Sequence, residues 1–413
     1  MKKLFVLLLT VVLMAAGCGS EPEARELSIY MLTENEELVS VLRSFTKENP
    51  QISLKFEFGI EDTFKTPSEA KKELNTRLLA GDGPDIIILD DMNGEAYAKK
   101  GQLLDITDLA AERESSLLPN LQKDYQLQRK MYYMPLAISL ISQAQTAGGR
   151  ADFSTSKALV ESIESQGLNI RNTSYDNLSA LMYRIEMAPD IFKGDVVNQE
   201  KLREFYCTLA DLMKLYGKEV DFASYEQTNL KVNHLRQYLR IAKGENDAAV
   251  DYVDTIFDAQ SLYSLEGENQ LSFQFVKEEG SYSYIPQGVI AISNQSSNKE
   301  EAEQMLRYLF SDKGQKKLLE RDFIPVDLQV LEDSFLVEKQ YDVNGEITIY
   351  PWTERSRRDF MEVVKNLGEP LFVDGNLMEI IMGGAQMYLN GEDTLQNALK
   401  TTVKKAEIYT TEQ

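Results

Sequence analysis

The 413-residue sequence predicts an α/β fold with a mostly parallel sheet, divided into two lobes. Three observations carry this. Strand-like and helix-like segments alternate from residue 27 onward. The same alternation returns at 289–309 after a mainly helical middle. The chain is also longer than one hydrophobic core usually supports.

Taken in order, residues 27–31 (LSIYM) read as a strand, and Leu38, Val41, Leu42 and Phe45 follow at the i, i+3, i+4, i+7 spacing of a helix face. Pro50 stops that helix, and Ile52, Leu54, Phe56 and Phe58 alternate as a strand does. Thr66, Pro67 and Glu69 supply an N-cap, a first-turn proline and a capping box for a helix with Ala70, Leu74 and Leu78 on one side. Asp85, a turn or cap residue, leads into Ile86, Ile87, Ile88 and Leu89, four apolar residues in a row. Such a run marks a strand buried on both faces. Helical stripes such as Leu178, Leu181, Met182 and Ile185 fill 154–260, interrupted by a strand at 248–253. Another strand is expected at 289–292, then a helix capped at Asn298 with Ala302, Met305, Leu306 and Leu309 inward.

The first residues have a different character. Lys2 and Lys3 precede an apolar run at 4–16, and Ala15, Ala16 and Gly17 lead to Cys18. A charged start, a short apolar stretch and small residues form a signal peptide, here 1–17. About 13 residues at ~1.5 Å each cover only some two thirds of a ~30 Å membrane core, too short for a spanning helix. Small residues before a cysteine, with the polar stretch GSEPE after it, resemble the lipobox, in which the cysteine is diacylated. Residues 18–26 would then be a lipidated tether, and two acyl chains on Cys18 would hold the protein stably at the outer face of the membrane.

Net charge is −22, and loss of Lys2 and Lys3 with the leader makes it −24, a surface that disfavours nucleic acid and anionic lipid headgroups. The second cysteine, Cys207, has no partner if Cys18 is lipidated, and its helical surroundings suggest a small buried residue. The single histidine, His234, offers one base and no supporting nucleophile motif, so an enzyme is disfavoured. The GDGP turn at 81–84 lacks the GK[ST] of a phosphate loop, and no Cys/His cluster suggests a metal or other cofactor. Residues 342–346 (DVNGE) read as a hairpin turn.

Several stretches occur in an ordered series: LRSFTKENP at 42–50, LLAGDGPDIIIL at 78–89, KGQLLDITDL at 100–109, KMYYMP at 130–135, SDKGQ at 311–315 and IPV at 324–326, with a closing segment at 390–409. Together they resemble the extracellular solute-binding proteins of ABC importers, the large family that includes maltose- and other sugar-binding proteins. The resemblance implies the type II periplasmic-binding-protein fold: two lobes, each a mostly parallel sheet flanked by helices, with a hinge and an interlobe cleft. It places 27–136 plus 287–326 in the N-terminal lobe and 137–286 plus 327–413 in the C-terminal lobe. A monomer that delivers a small solute, a carbohydrate first of all, to permease subunits follows from it. A polyamine, a peptide or a sensor role without transport are the alternatives.

Carried over by position, the resemblance puts Thr33, Glu34 and Asn35 after the first strand, and Asp90, Asp91 and Asn93 after the buried one, at the cleft. Ser139 falls beyond the KMYYMP strand, and Tyr175, Asp251 and Tyr252 fall in matching loops of the second lobe. Carboxylates accept hydrogen bonds from sugar hydroxyls, and aromatic faces stack on sugar rings. For each residue the alternative is loop surface or core packing. Trp352, the only tryptophan, is either a stacking platform or a packing residue. The chain departs from the family after Pro135, where a Tyr-Asn pair and a Pro-Thr-Trp stretch are replaced by ISQAQTAGG at 141–149.

Overall fold

A computed structural model describes residues 25–60, 65–170, 172–188, 197–216, 236–336 and 340–412. The leader segment, Cys18 and His234 lie outside the described residues. Two main sheets organise the chain. In the first, the strand order is Ile52–Phe58, Arg25–Met31, Ile86–Ile88, Ile290–Ile292 and Tyr133–Met134. Successive side chains of a strand point to opposite faces. Ile86 and Ile88 therefore join Leu27, Ile29, Leu42 and Phe45 in one core, while Ile87 joins Tyr30, Leu74 and Leu78 in another. That two-sided burial is what the unbroken apolar run requires.

The helices form where the side-chain pattern predicts them. Asn35 caps Glu36–Ser44 by accepting from the Leu38 N–H, and Leu38, Val41 and Leu42 are buried. Thr66 and Glu69 make the expected capping box of Pro67–Ala80, which ends at Gly81 with φ 79°. Asn298 precedes the helix Lys299–Leu309 without a side-chain cap, and its amide N–H groups donate to Glu26 O and the Asp85 carboxylate. Asp85 is a pin rather than only a turn residue: its carboxylate accepts from the Ser28 N–H and hydroxyl and from Ser296.

Strand direction needs correcting. Ile52–Phe58, Arg25–Met31 and Ile86–Ile88 are parallel, but Ile290–Ile292 runs antiparallel to Ile86–Ile88 and to Tyr133–Met134. The second sheet is mainly antiparallel around the long strand Ala137–Thr146. One half of that strand pairs with Ser281–Gln287 and Ile324–Pro325, the other with Ala248–Val253 and Leu271–Phe275. The physical reason is connectivity: the chain leaves the first sheet through Ala137–Thr146 and returns through Ser281–Gln287, and adjacent outgoing and returning strands must run in opposite senses.

The two crossings touch. The Leu136 N–H donates to Gln287 O at 3.1 Å and to Gly288 O at 3.3 Å. Gly288 has φ 59°, a left-handed conformation that glycine adopts without steric cost, at the step between sheets. On the helical side of the second sheet, Gln199–Tyr216 buries Leu202, Phe205, Tyr206, Leu209 and Leu212. Cys207 faces away from that stripe and is an exposed free thiol, not a buried one. Residues 342–346 do form a hairpin turn, between Tyr341–Val343 and Ile347–Ile349. Among the described residues no helix is long and apolar enough to cross a membrane.

Candidate functional site

A cavity of about 220 Å³ opens where the strand ends of the first sheet face the second. The first side contributes Met31, Leu32, Thr33 and Asn35 after the first strand, and Ile88, Asp90 and Asp91 after the buried one. The crossover contributes Ile285, Pro286, Gln287 and Val289, and the far side Arg184 and residues 371–373. Ligands of open α/β sheets sit outside strand ends of this kind. Apolar walls with a few placed polar groups are what small-solute sites require.

The polar groups are fixed by their neighbours. Asp90 lines the cavity, but its carboxyl accepts the N–H groups of Val289 at 2.8 Å and Gly288 at 3.1 Å, tying the strand end to the crossover. Packing around that carboxyl pushes its pKa up to about 6, against the lowering effect of those two bonds. Asp91 next to it has φ 59°, and its carboxylate stands 3.7 Å from the Arg184 guanidinium. Gln287 donates to Ser139 Oγ and to Asp254 Oδ1, the latter at 3.5 Å. Asp254 is in turn 2.9 Å from Arg236, which also pairs with Asp258.

Beside this cluster, Asp251 accepts from the N–H of Gln237 at 2.6 Å and of Tyr252 at 2.9 Å. Burial pushes its pKa to about 7, with Arg236 pulling the other way. Tyr252 has its phenol pushed up by burial while the Arg184 guanidinium opposes the shift. Arg184, Tyr252, Asp254 and Gln287 thus carry polar chemistry from the second sheet toward Asp91 on the first.

The expected site residues separate into groups. Thr33, Asn35, Asp90 and Asp91 stand in the cavity wall, and Glu34 is exposed beside it. Asn93 accepts from the Ala96 N–H at 3.1 Å as the cap of Gly94–Lys99 and does not line the cavity. Ser139 is fully buried and supports Gln287.

One expectation is corrected and one open alternative is decided. Tyr175 is buried in one core with Leu178, Leu181 and Phe205, its hydroxyl donating to Leu209 O at 3.0 Å and its ring edge-on to Tyr216, because helix packing claims it. Trp352 is a packing residue: buried, it sits 4.8 Å from Phe335 and 5.6 Å from Phe360 between ring centroids, inside an aromatic core.

Arg184, Gln287 and Phe372 escaped the sequence reading. Arg184 lies on the π-helical turn Tyr183–Met187 that extends Tyr175–Met182, a distortion that a 3.6-residue periodicity does not reveal. Phe372 could have been suspected as an aromatic residue just after the strand Leu367–Pro370.

Residues 41–342 match the family described as bacterial extracellular solute-binding protein. The chain belongs to that family. The solute-binding protein also shares its fold with maltose-bound MalE3 of T. maritima, at TM-score 0.58 and 15% identity over 94% of this chain and 100% of that one. A binding protein of B. animalis subsp. lactis Bl-04 in complex with beta-1,6-galactobiose gives TM-score 0.58 and 15% identity over 94% and 98%. Lmo0181 of Listeria monocytogenes in complex with cycloalternan gives 0.55 and 16% over 94% and 99%. These likenesses establish the two-lobed α/β fold of the solute-binding protein, and its family is one of binding proteins rather than enzymes.

Proposed function

We propose that this protein is the receptor of an ABC importer, held outside the membrane by acyl chains on Cys18, that captures a mono- or oligosaccharide between its lobes and presents it to permease subunits as a monomer. The observation that carries this is the cavity walled by both sheets, with Asp91 and Arg184 facing each other across it. Three neighbours of the same fold were solved with carbohydrates bound, which supports a sugar as the cargo. The N-terminal lobe comprises 27–136 plus 287–326 and the C-terminal lobe 137–286 plus 327–413, so that closure turns about the paired crossings at Leu136 and Gly288.

The working contacts are Thr33, Asn35, Asp91, Arg184, Tyr252, Asp254 and Gln287 for hydroxyl groups, and Phe372 for an apolar ring face. Asp90 and Ser139 act behind them as supports. The lobes already reach the closed form without solute, and a solute that binds that form more tightly shifts the population further toward it. Carboxylates outnumber guanidinium groups around the cavity, so a polyamine is the second candidate cargo.

Thermal denaturation across sugars, polyamines and short peptides tests the reading. A cargo at 100 times its Kd should stabilise the fold by about 2.7 kcal/mol and raise the midpoint. A folded protein whose midpoint no solute moves would contradict a receptor role, and a response to polyamines alone would replace the sugar.

A further inference from the structure

Lys71, on the first-sheet helix Pro67–Ala80, is only 6% exposed, unusual for a strongly hydrated ammonium. Its Nζ donates to the backbone carbonyl of Asp91 at 2.7 Å and stands 3.9 Å from the carboxylate of Asp374. Asp374 is 1% exposed and caps Gly375–Leu389 on the other side of the cleft, accepting from the Asn376 and Leu377 N–H groups and from the Tyr409 hydroxyl. The Gly375 N–H reaches the same Asp91 carbonyl at 3.4 Å. One carbonyl therefore holds a donor from each side of the cleft. Asp91 needs such holding, because its φ of 59° is unfavourable for a residue with a Cβ. In that conformation its carboxylate faces Arg184.

We infer that Lys71 is a positioning residue for lobe closure: it fixes the Asp91 turn in the shape that meets Arg184 and, opposite Asp374, seats the Gly375–Leu389 helix against the first lobe. The inference rests on the receptor reading above, in which the lobes part and close. A buried lysine and carboxylate lose their hydration, and that loss nearly cancels their attraction. When the lobes part, both ions regain water. The pair thus specifies the closed arrangement without locking it, as reversible capture requires.

The test uses the exposed Cys207 as a spin-label site on one lobe and Leu79→Cys, at a position 76% exposed, on the other, in protein carrying Cys18→Ser. Pulsed dipolar spectroscopy then reads the interlobe distance without any solute. Lys71→Met should broaden the distribution and shift it to longer distance, and Lys71→Arg should restore the narrow, short component. An unchanged distribution in a folded Lys71→Met protein overturns the inference. Should Lys71→Met fail to fold, Asp374→Asn, which keeps a capping oxygen, is read in the same way. The solute response of the protein with native Lys71 is a separate readout: if no solute alters it, the receptor reading fails while the Lys71 comparison still decides the positioning role.

Discussion

Arg184, on the turn Tyr183–Met187, and Asp91, just after the strand Ile86–Ile88, face each other at 3.7 Å. Asp91 is half exposed, so solvent screens the pair, and its contribution to stability is below about 1 kcal/mol. In the proposed receptor the pair serves binding, since a guanidinium donor and a carboxylate acceptor can clasp neighbouring hydroxyls. Arg184→Gln is expected to leave urea unfolding nearly unchanged and to weaken cargo binding about tenfold or more, roughly 1.4 kcal/mol, by calorimetric titration.

Asp90 predicts the opposite balance. Its carboxyl serves the N–H groups of Gly288 and Val289, so Asp90→Ala leaves two donors at the crossover without that acceptor. A loss of about 1–3 kcal/mol in denaturant unfolding should follow. Hydrogen exchange at Gly288 and Val289 should quicken with it.

Trp352 is the only tryptophan, which makes intrinsic fluorescence a single-site measurement. Buried among Phe335, Phe360 and Tyr263, it should emit at short wavelength and change little when cargo binds. Trp352→Phe should cost stability, on the order of 1–3 kcal/mol for lost packing, and leave affinity intact. A large fluorescence change on binding would restore Trp352 to the cleft.

Asp251 makes stability depend on pH. Burial raises its folded pKa to about 7 from an ordinary value near 3.8, so the folded chain keeps a proton that the unfolded chain releases. Its contribution is therefore fully present below about pH 4 and is lost as pH rises through about 7. Compared with wild type, Asp251→Asn should gain relative stability between pH 5 and pH 8, measured as a flatter dependence of the unfolding midpoint on pH. Parallel curves for the two proteins would contradict this.

Much of the fold was legible because it rests on local chemistry: the capping box at Thr66 and Glu69, the stripe from Leu38 to Phe45, the doubly buried Ile86–Ile88. Strand direction in the second sheet was not legible, since alternation is the same whichever way a neighbour runs. The cleft was half legible. Asp90 and Asp91 follow a recognisable strand, but Arg184 sits on a helix irregularity and Phe372 comes from a distant part of the chain. Tyr175 and Cys207 differ from expectation, and Trp352 stayed open between two readings, for a related reason: sequence position gives the element, while the direction of a side chain depends on which neighbours pack against it. Cys207 points outward because Phe205, Tyr206 and Leu209 already fill the helix's inner face.

In the proposed receptor, cargo binds between the lobes. Isothermal titration of the solute that most raises the unfolding midpoint, against wild type, Gln287→Ala and Phe372→Ala, decides whether it does. The wild type should show one site per chain, and both variants, whose unfolding stays cooperative, should bind about tenfold or more weakly. Undiminished affinity in both would put the binding site elsewhere on the molecule.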